Sequence, residues 1–410
     1  MKKSARVFLT TTTIVVGTLG AGIWRAEAAT YVQTDLVSNI PGLAAVTDPV
    51  LQNPWGLTNS AMSPFWVSDN AASPGMTSLY GVTSSTNVSK VTAANPPTGN
   101  VMIPTTASGP QGPTGAVANT NASSFSVGMG GNGASAHFIF ANLNGTISAW
   151  DTGPTAFTQV PSSGAVYTGL AINEAQTQLY AANNGNGSPS SSAGIDVFNS
   201  SFQKVSLGSS AFATPAAISA QGLVPFNVQD ISGNVYVTYS PSGGHAAEAG
   251  AVQGQGAVAV FNESGTLLTS MLTGGTLVGG TLASPWGVAL AQSTFGQFAN
   301  DLLVGNFSYN NSFISAFDPA NGQFEGMIQI KTDGNNPGGL WALVFGNMGM
   351  NGDPNTLFFT DGINSETDGL FGAIDSTTPL PAALPLFATG LGGLGLLGWR
   401  RKRKSRAKVA

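Results

Sequence analysis

Three carboxylates and a carboxamide fall within eight residues at Asp361-x-x-Asn364-x-Glu366-x-Asp368-Gly369. Calcium takes roughly six to eight hard oxygens, and alternating acidic residues closed by a glycine turn can supply them. The spacing is not that of an EF-hand loop, and an acidic solvated loop has the same composition. Asp361, Asn364, Glu366 and Asp368 are therefore a candidate metal set, with calcium as the cofactor it would take. A second constellation is spread along the chain. Asp69, Asn142, Asn183, Asn306 and Asp361 each close a short apolar run in the same register, with Tyr239 in the equivalent place of one further run. Around a common axis they would form a polar ring at a channel mouth, able to bind a cation or sugar hydroxyls. Asx side chains in that position also cap the turn that follows a strand. The two histidines are His137, which opens an apolar run, and His245. His245 lies in Ser242-Gly243-Gly244-His245-Ala246-Ala247-Glu248, where Ser, His and Glu stand too close in sequence to be oriented as a triad. No Gly-x-Ser-x-Gly elbow occurs, so no catalytic residue is assigned.

A repeat must position these residues. Asn53-Pro54-Trp55-Gly56-Leu57 returns as Gly112-Pro113-Thr114-Gly115-Ala116 and as Tyr167-Thr168-Gly169-Leu170-Ala171. Further copies surround Phe226, Ser284-Pro285-Trp286-Gly287-Val288 and Gly339-Leu340-Trp341-Ala342-Leu343, at steps of 54 to 61 residues. Each copy precedes an apolar run ending at a ring position, such as Phe65-Trp66-Val67-Ser68-Asp69 or Leu357-Phe358-Phe359-Thr360-Asp361. A second run then alternates with β period, as in Ile195-Asp196-Val197-Phe198-Asn199. Six such units, none able to bury its own faces, predict an all-β, six-bladed β-propeller. Glycine suits the innermost strands, where blades converge. The last unit lacks a fourth strand, and the run from Tyr31 to Val37 lacks a unit. Its pairing into the last blade is expected to clasp the ring and remove two open edges. Trp55, Trp286 and Trp341 recur at the start of three units. Such residues pack between blades or, if exposed at a mouth, stack on sugar rings.

Charge narrows the partners. Between Thr30 and Pro379 stand three cations, Lys90, Lys204 and Lys331, against eighteen carboxylates, a balance of −15. Such a body cannot neutralise a phosphate backbone, so nucleic acid is excluded as a partner. The formal net charge of −5 is restored by the two ends, which carry most of the Lys and Arg. With no cysteine there is neither disulfide nor thiolate chemistry.

The ends read as sorting signals. Lys2, Lys3 and Arg6 precede an apolar run from Val7 to Ile23, then Ala26-Glu27-Ala28, a secretory signal peptide over residues 1–28. The propeller is assigned to 29–375 and a sorting tail to 376–410. In the tail, Pro379-Leu380-Pro381 leads into an uncharged Gly/Leu stretch that ends at Trp399. Counted from Pro379 that stretch is 21 residues, enough to span a bilayer as a single transmembrane helix. Seven of the nine residues from Arg400 to Lys408 are basic, which keeps that end cytoplasmic. The tail resembles the PEP-CTERM sorting signal of Gram-negative bacteria, with Pro379, Leu380 and Pro381 as a variant of its Pro-Glu-Pro motif. That resemblance implies processing by signal peptidase and an exosortase-type protease. It also implies an inner-membrane intermediate with a periplasmic body, then delivery to the cell surface or extracellular matrix. The body resembles NHL-type repeats and, taken whole, an uncharacterised bacterial family of propeller proteins with PEP-CTERM tails, which implies a fold and no activity.

The expectation is a secreted, surface-sorted, monomeric propeller that binds or builds the cell envelope or exopolysaccharide matrix. A neutral exopolysaccharide is the ligand class left after nucleic acid and anionic polymers are removed, and the balance is against an enzyme. The alternative is a calcium-assisted lactonase- or lyase-like enzyme with the metal at the channel mouth.

Overall fold

The computed structural model describes residues 31–377, apart from 62, 73, 93–97, 107, 108, 163, 186–192 and 337. The expected signal peptide lies outside the described residues. So does the sorting tail with its transmembrane span, from residue 378 onward.

The described chain is an all-β, six-bladed propeller. The innermost strands are Pro54–Thr58, Pro113–Ala118, Tyr167–Ile172, Leu223–Ile231, Pro285–Leu290 and Leu340–Phe345. Each packs against the next, and the last packs against the first, so the ring closes. The second strands are Phe65–Asp69, Phe138–Asn142, Gln178–Asn183, Asn234–Pro241, Leu302–Asn306 and Leu357–Asp361. They are buried over most of their length because each faces a neighbouring blade on both sides, which explains unbroken apolar runs where a half-exposed strand would alternate. Apolar clusters accordingly sit between blades. In one of them Leu303 and Ile314 of the fifth blade meet Leu340, Leu343 and Phe359 of the sixth.

The N-terminal strand Tyr31–Ser38 pairs antiparallel with Leu370–Ser376 and supplies the missing outer strand of the last blade. The first and last strands of the described propeller are thereby hydrogen-bonded in one sheet.

Four glycines set how tightly the blades converge. A Cβ on Gly56, Gly115 or Gly287 would lie 2.3, 2.2 or 2.2 Å from the backbone of the next inner strand, at Thr114 O, Leu170 N and Trp341 O. No real side chain tolerates that approach, so Gly is obligatory there. At Gly169 the space is taken by Asn227, whose Oδ1 would lie 2.0 Å from an added Cβ and whose Nδ2 bonds Trp286 O at 2.9 Å. The fourth blade thus replaces its missing glycine with a side-chain bridge.

Aromatic side chains fill the axis. Trp341 stacks on Trp55 at 3.6 Å and on Phe307 at 4.2 Å, with Trp286 edge-on at 5.7 Å and Phe226 at 5.9 Å. Trp286 Nε1 donates to Thr168 O, and Trp341 Nε1 to Asn53 Oδ1. The repeated tryptophans are therefore packing residues that plug the channel. The axial space lined by Gly56, Leu170, Asn227 and Trp286 holds about 10 Å³, near the limit for one water.

Candidate functional site at the upper mouth

The plug leaves a cavity at each end of the axis. The upper mouth lies where inner strands begin and second strands end. Its cavity measures about 270 Å³ and is walled by Trp55, Leu143 and Val166 on the apolar side and by Asn53, Asn70, Asn184, His245, Glu248 and Glu366 on the polar side. Five of the six blades contribute. Trp55 is 4% exposed and its Nε1 has no acceptor among the described residues.

His245 and Glu248 sit on a five-residue helix, His245–Ala249, inside what the sequence presents as a Gly-rich loop. Three residues apart on one helical turn, they share a face. His245 Nε2 is 2.8 Å from Glu366 Oε2, although 121 residues separate the two. The Tyr309 hydroxyl donates to the same oxygen at 2.6 Å and lies 3.4 Å from His245 Nε2. That carboxylate hydrogen-bonds and attracts the imidazolium, which raises the His245 pKa against the opposing effect of burial. Glu248 is 4% exposed and accepts from Asn184 Nδ2 at 3.1 Å. Burial pushes its carboxyl up to about 7, with His245 and Asn184 pulling the other way.

Glu366 reaches this cluster from a strained turn. Asn364, Ser365 and Glu366 all have positive φ, at 55°, 56° and 63°. Asn visits that region readily, whereas Ser and Glu do so at a cost on the order of 1–2 kcal/mol each. Strain of this kind collects at functional sites. Buried ionisable side chains with few compensating bonds point the same way.

The left-handed turn also decides where the residues read as a candidate metal set lie. Asn364 Nδ2 bonds Asp368 Oδ2 at 2.9 Å, and Asp368 Oδ1 accepts from Asn39. Glu366 turns instead to Tyr309 and His245. Asp361 is fully buried in its strand with neither oxygen bonded among the described residues, and burial lifts its carboxyl to about 8, helped by the nearby Asp35 and Glu366 carboxylates. Asp361, Asn364, Glu366 and Asp368 do not converge, and among the described residues no three His, Cys, Asp or Glu side chains are placed to share a metal ion.

The five residues read as a ring occupy equivalent strand ends, and all are buried. Asn183 Oδ1 accepts from Val166 N and Gly185 N. Asn306 Oδ1 accepts from Ala283 N while its Nδ2 donates to Thr281 O. Asn142 Nδ2 donates to Thr146 Oγ1, and Asp69 Oδ2 accepts from Ser78 Oγ at 2.6 Å. Four of them are thus engaged by nearby groups, Asp361 has no hydrogen-bond partner among the described residues, and the cavity is lined by the residues that follow them, Asn70, Leu143 and Asn184. Tyr309 and Asn184 were not singled out by the sequence, and Glu248 was weighed there only as part of a triad with Ser242 and His245. The one available signal was His245 itself, placed beside Glu248 in a loop where the fold had no need of it. His137 is exposed at the start of its strand, 6.1 Å from the Trp150 ring.

No family model matches the chain. It is similar to two uncharacterised proteins of Acanthamoeba polyphaga mimivirus. One is 27% identical, covering 85% of this chain and 81% of that protein. The other is 25% identical, covering 85% of this chain and 87% of that protein. Among solved structures it is similar to a protein of unknown function from Bacteroides thetaiotaomicron, at 10% identity and a TM-score of 0.47 over 84% of this chain and 77% of that one. It is also similar to a streptogramin B lyase, at 12% identity and a TM-score of 0.41 over 85% of this chain and 98% of that one.

Proposed function

We propose that this propeller is a binding protein whose upper mouth takes the end of an uncharged, hydroxyl-rich chain of the kind a neutral glycan presents. One observation carries the reading: a small cavity with a Trp55–Leu143–Val166 wall faces a rim of carboxamides and carboxylates that can bond hydroxyls in both directions. Among the described residues the one cation in that lining is His245, already paired with Glu366, so an anionic ligand meets repulsion from an acidic body. Export and surface sorting through the ends at residues 1–28 and 376–410 complete the proposal and would place the site in the matrix that carries such polymers. Calorimetric titration of the purified protein with neutral and uronic-acid oligosaccharides tests it. Neutral chains should bind, anionic ones should not, and Asn70→Ala with Asn184→Ala should weaken binding at least tenfold. Equal binding of both classes would sink it. Fractionation of a producing host, with and without residues 379–381, tests the sorting.

A second reading rests on Glu248. A carboxylate poised near pH 7 beside an imidazolium is a competent base–acid pair. Turnover of a neutral ester or glycoside, lost in Glu248→Gln while binding persists, would favour an enzyme.

A further inference from the structure

The opposite end of the axis carries a cavity of about 360 Å³. Its floor is apolar, with Leu57, Ile172 and Val344 from inner strands, and its rim is built from carboxamides: Asn59, Gln176, Gln229 and Asn347. Among the described residues Asp230 is the one ionisable side chain in the lining.

Two of these amides are fixed before any ligand arrives. Gln176 Oε1 accepts from Thr120 N, Thr120 Oγ1 and Asn121 N at 2.7, 3.0 and 2.9 Å, which locks the side chain and leaves its Nε2 without an acceptor among the described residues. Asn347 is held between Asn59, to whose Oδ1 it donates at 2.7 Å, and Asn351, from which it accepts at 2.6 Å. Asn59 Nδ2 is then buried with no acceptor among the described residues. A buried unpaired amide is costly, so pairing it with a ligand oxygen favours binding. Preorganised carboxamides over an apolar floor suit hydroxyls that both donate and accept, and offer an anionic ligand no counterion.

We infer that this lower mouth is a second binding site for uncharged, hydroxyl-rich ligands, so that one propeller bridges two chains. The ligand class rests on the reading of the upper mouth, whereas the site itself stands on its own lining. Because the tryptophan plug separates the cavities, each is expected to bind without the other. Bridging then follows from having two sites on one rigid ring, and it raises the apparent affinity for a polymer well above that of either site.

The test uses the purified full chain with maltotetraose and cellotetraose as probes, read by calorimetric stoichiometry, and a neutral polysaccharide solution read by viscosity. Wild type should bind two equivalents and thicken the polymer. Asn59→Ala with Gln229→Ala, and separately Asn184→Ala with Glu248→Gln, should each bind one equivalent and lose the thickening. Thermal melts confirm folding of each variant. One equivalent in wild type, untouched by the Asn59/Gln229 pair, overturns the second site and leaves the upper one standing. One equivalent lost only with the Asn59/Gln229 pair does the reverse. Binding of neither probe by any form overturns both.

Discussion

The two mouths differ in the side chains the chain brings to them. The lower mouth is closed by the connections from inner to second strands, which run from the tight hairpin Ile231-Ser232-Gly233-Asn234 to the long stretch between Ala118 and Phe138. The upper mouth includes the loop with the His245–Ala249 helix and the left-handed turn at 364–366. Left-handed residues occur at both, with Gln176 and Ser232 below and Asn364, Ser365 and Glu366 above, so backbone strain does not tell the ends apart. The difference is chemical. The lower rim is mostly carboxamide, while the upper rim brings Glu248, His245 and Glu366 together. One scaffold thus holds a nearly charge-free basin at one end and a titrating cluster at the other.

The sharpest way to break that contrast is to remove the partition. Trp341 is 0% exposed and touches Trp55, Trp286, Phe226 and Phe307. Trp341→Ala should cost about 3–5 kcal/mol in denaturant unfolding and leave Asn53 Oδ1 without its indole donor. A loss below about 1 kcal/mol would mean that the two cavities are not held apart by packing.

Next in size is Glu248→Gln. The folded carboxyl titrates near 7 against an ordinary 4.5, so the native state binds the extra proton. Wild-type stability should therefore fall as pH rises from about 4.5 through 7, by up to ~3 kcal/mol, with the positive charge of His245 offsetting part of it. Glutamine keeps the acceptor for Asn184 and removes the charge. The variant should match wild type near pH 4.5, exceed it at pH 8, and flatten the unfolding profile between them. A variant weaker than wild type at pH 8 would show that the charge is stabilised rather than tolerated.

What the sequence made legible follows the same division. The strand runs Phe65–Asp69, Phe138–Asn142, Leu302–Asn306 and Leu357–Asp361 match the expected residues because burial on both faces leaves an unbroken apolar signature. The N-terminal clasp was visible as a strand without a unit facing a unit without a strand. Glycine at 56, 115, 169 and 287 reported the close approach of blades directly. The upper mouth was not legible. His245 meets Glu366, and Asn184 meets Glu248, only because ring closure brings distant loops together, and no local spacing encodes that. The direction Glu366 takes was hidden at Asn364-Ser365-Glu366, where positive φ occurs without a glycine to announce it. The register of Asp69, Asn142, Asn183, Asn306 and Asp361 was readable, but the side-chain partners inside each blade were not.

A smaller effect is expected at the lower mouth's one ionisable residue. Burial and the neighbouring Glu263 and Glu174 carboxylates raise Asp230 to about 6, although it keeps a hydrogen bond from Gly233 N. The sign is that of Glu248: stability is lost as pH rises from about 3.8 through 6. Solvent reaches this group, so screening reduces the effect, and Asp230→Asn should gain only about 1 kcal/mol at pH 7 by denaturant titration. A gain as large as that of Glu248→Gln would erase the electrostatic contrast between the ends.

The smallest expected change separates the mouths most cleanly. The His245 side chain is 57% exposed, so its bridge to Glu366 is worth no more than about 1 kcal/mol. Its folded pKa is raised, so the contribution is fully present below the ordinary value of 6.5 and fades as pH climbs through the higher folded value. His245→Gln should therefore destabilise slightly at pH 5.5 and not at all at pH 9, where Tyr309 still satisfies Glu366. Asn59→Ala, at the other mouth, removes no titrating group, and any change it makes should be the same at both pH values. Parallel melts of the two variants compare the ends directly. A pH-dependent Asn59→Ala, or a pH-independent His245→Gln, would mean that the charge at the upper mouth does not set its behaviour apart.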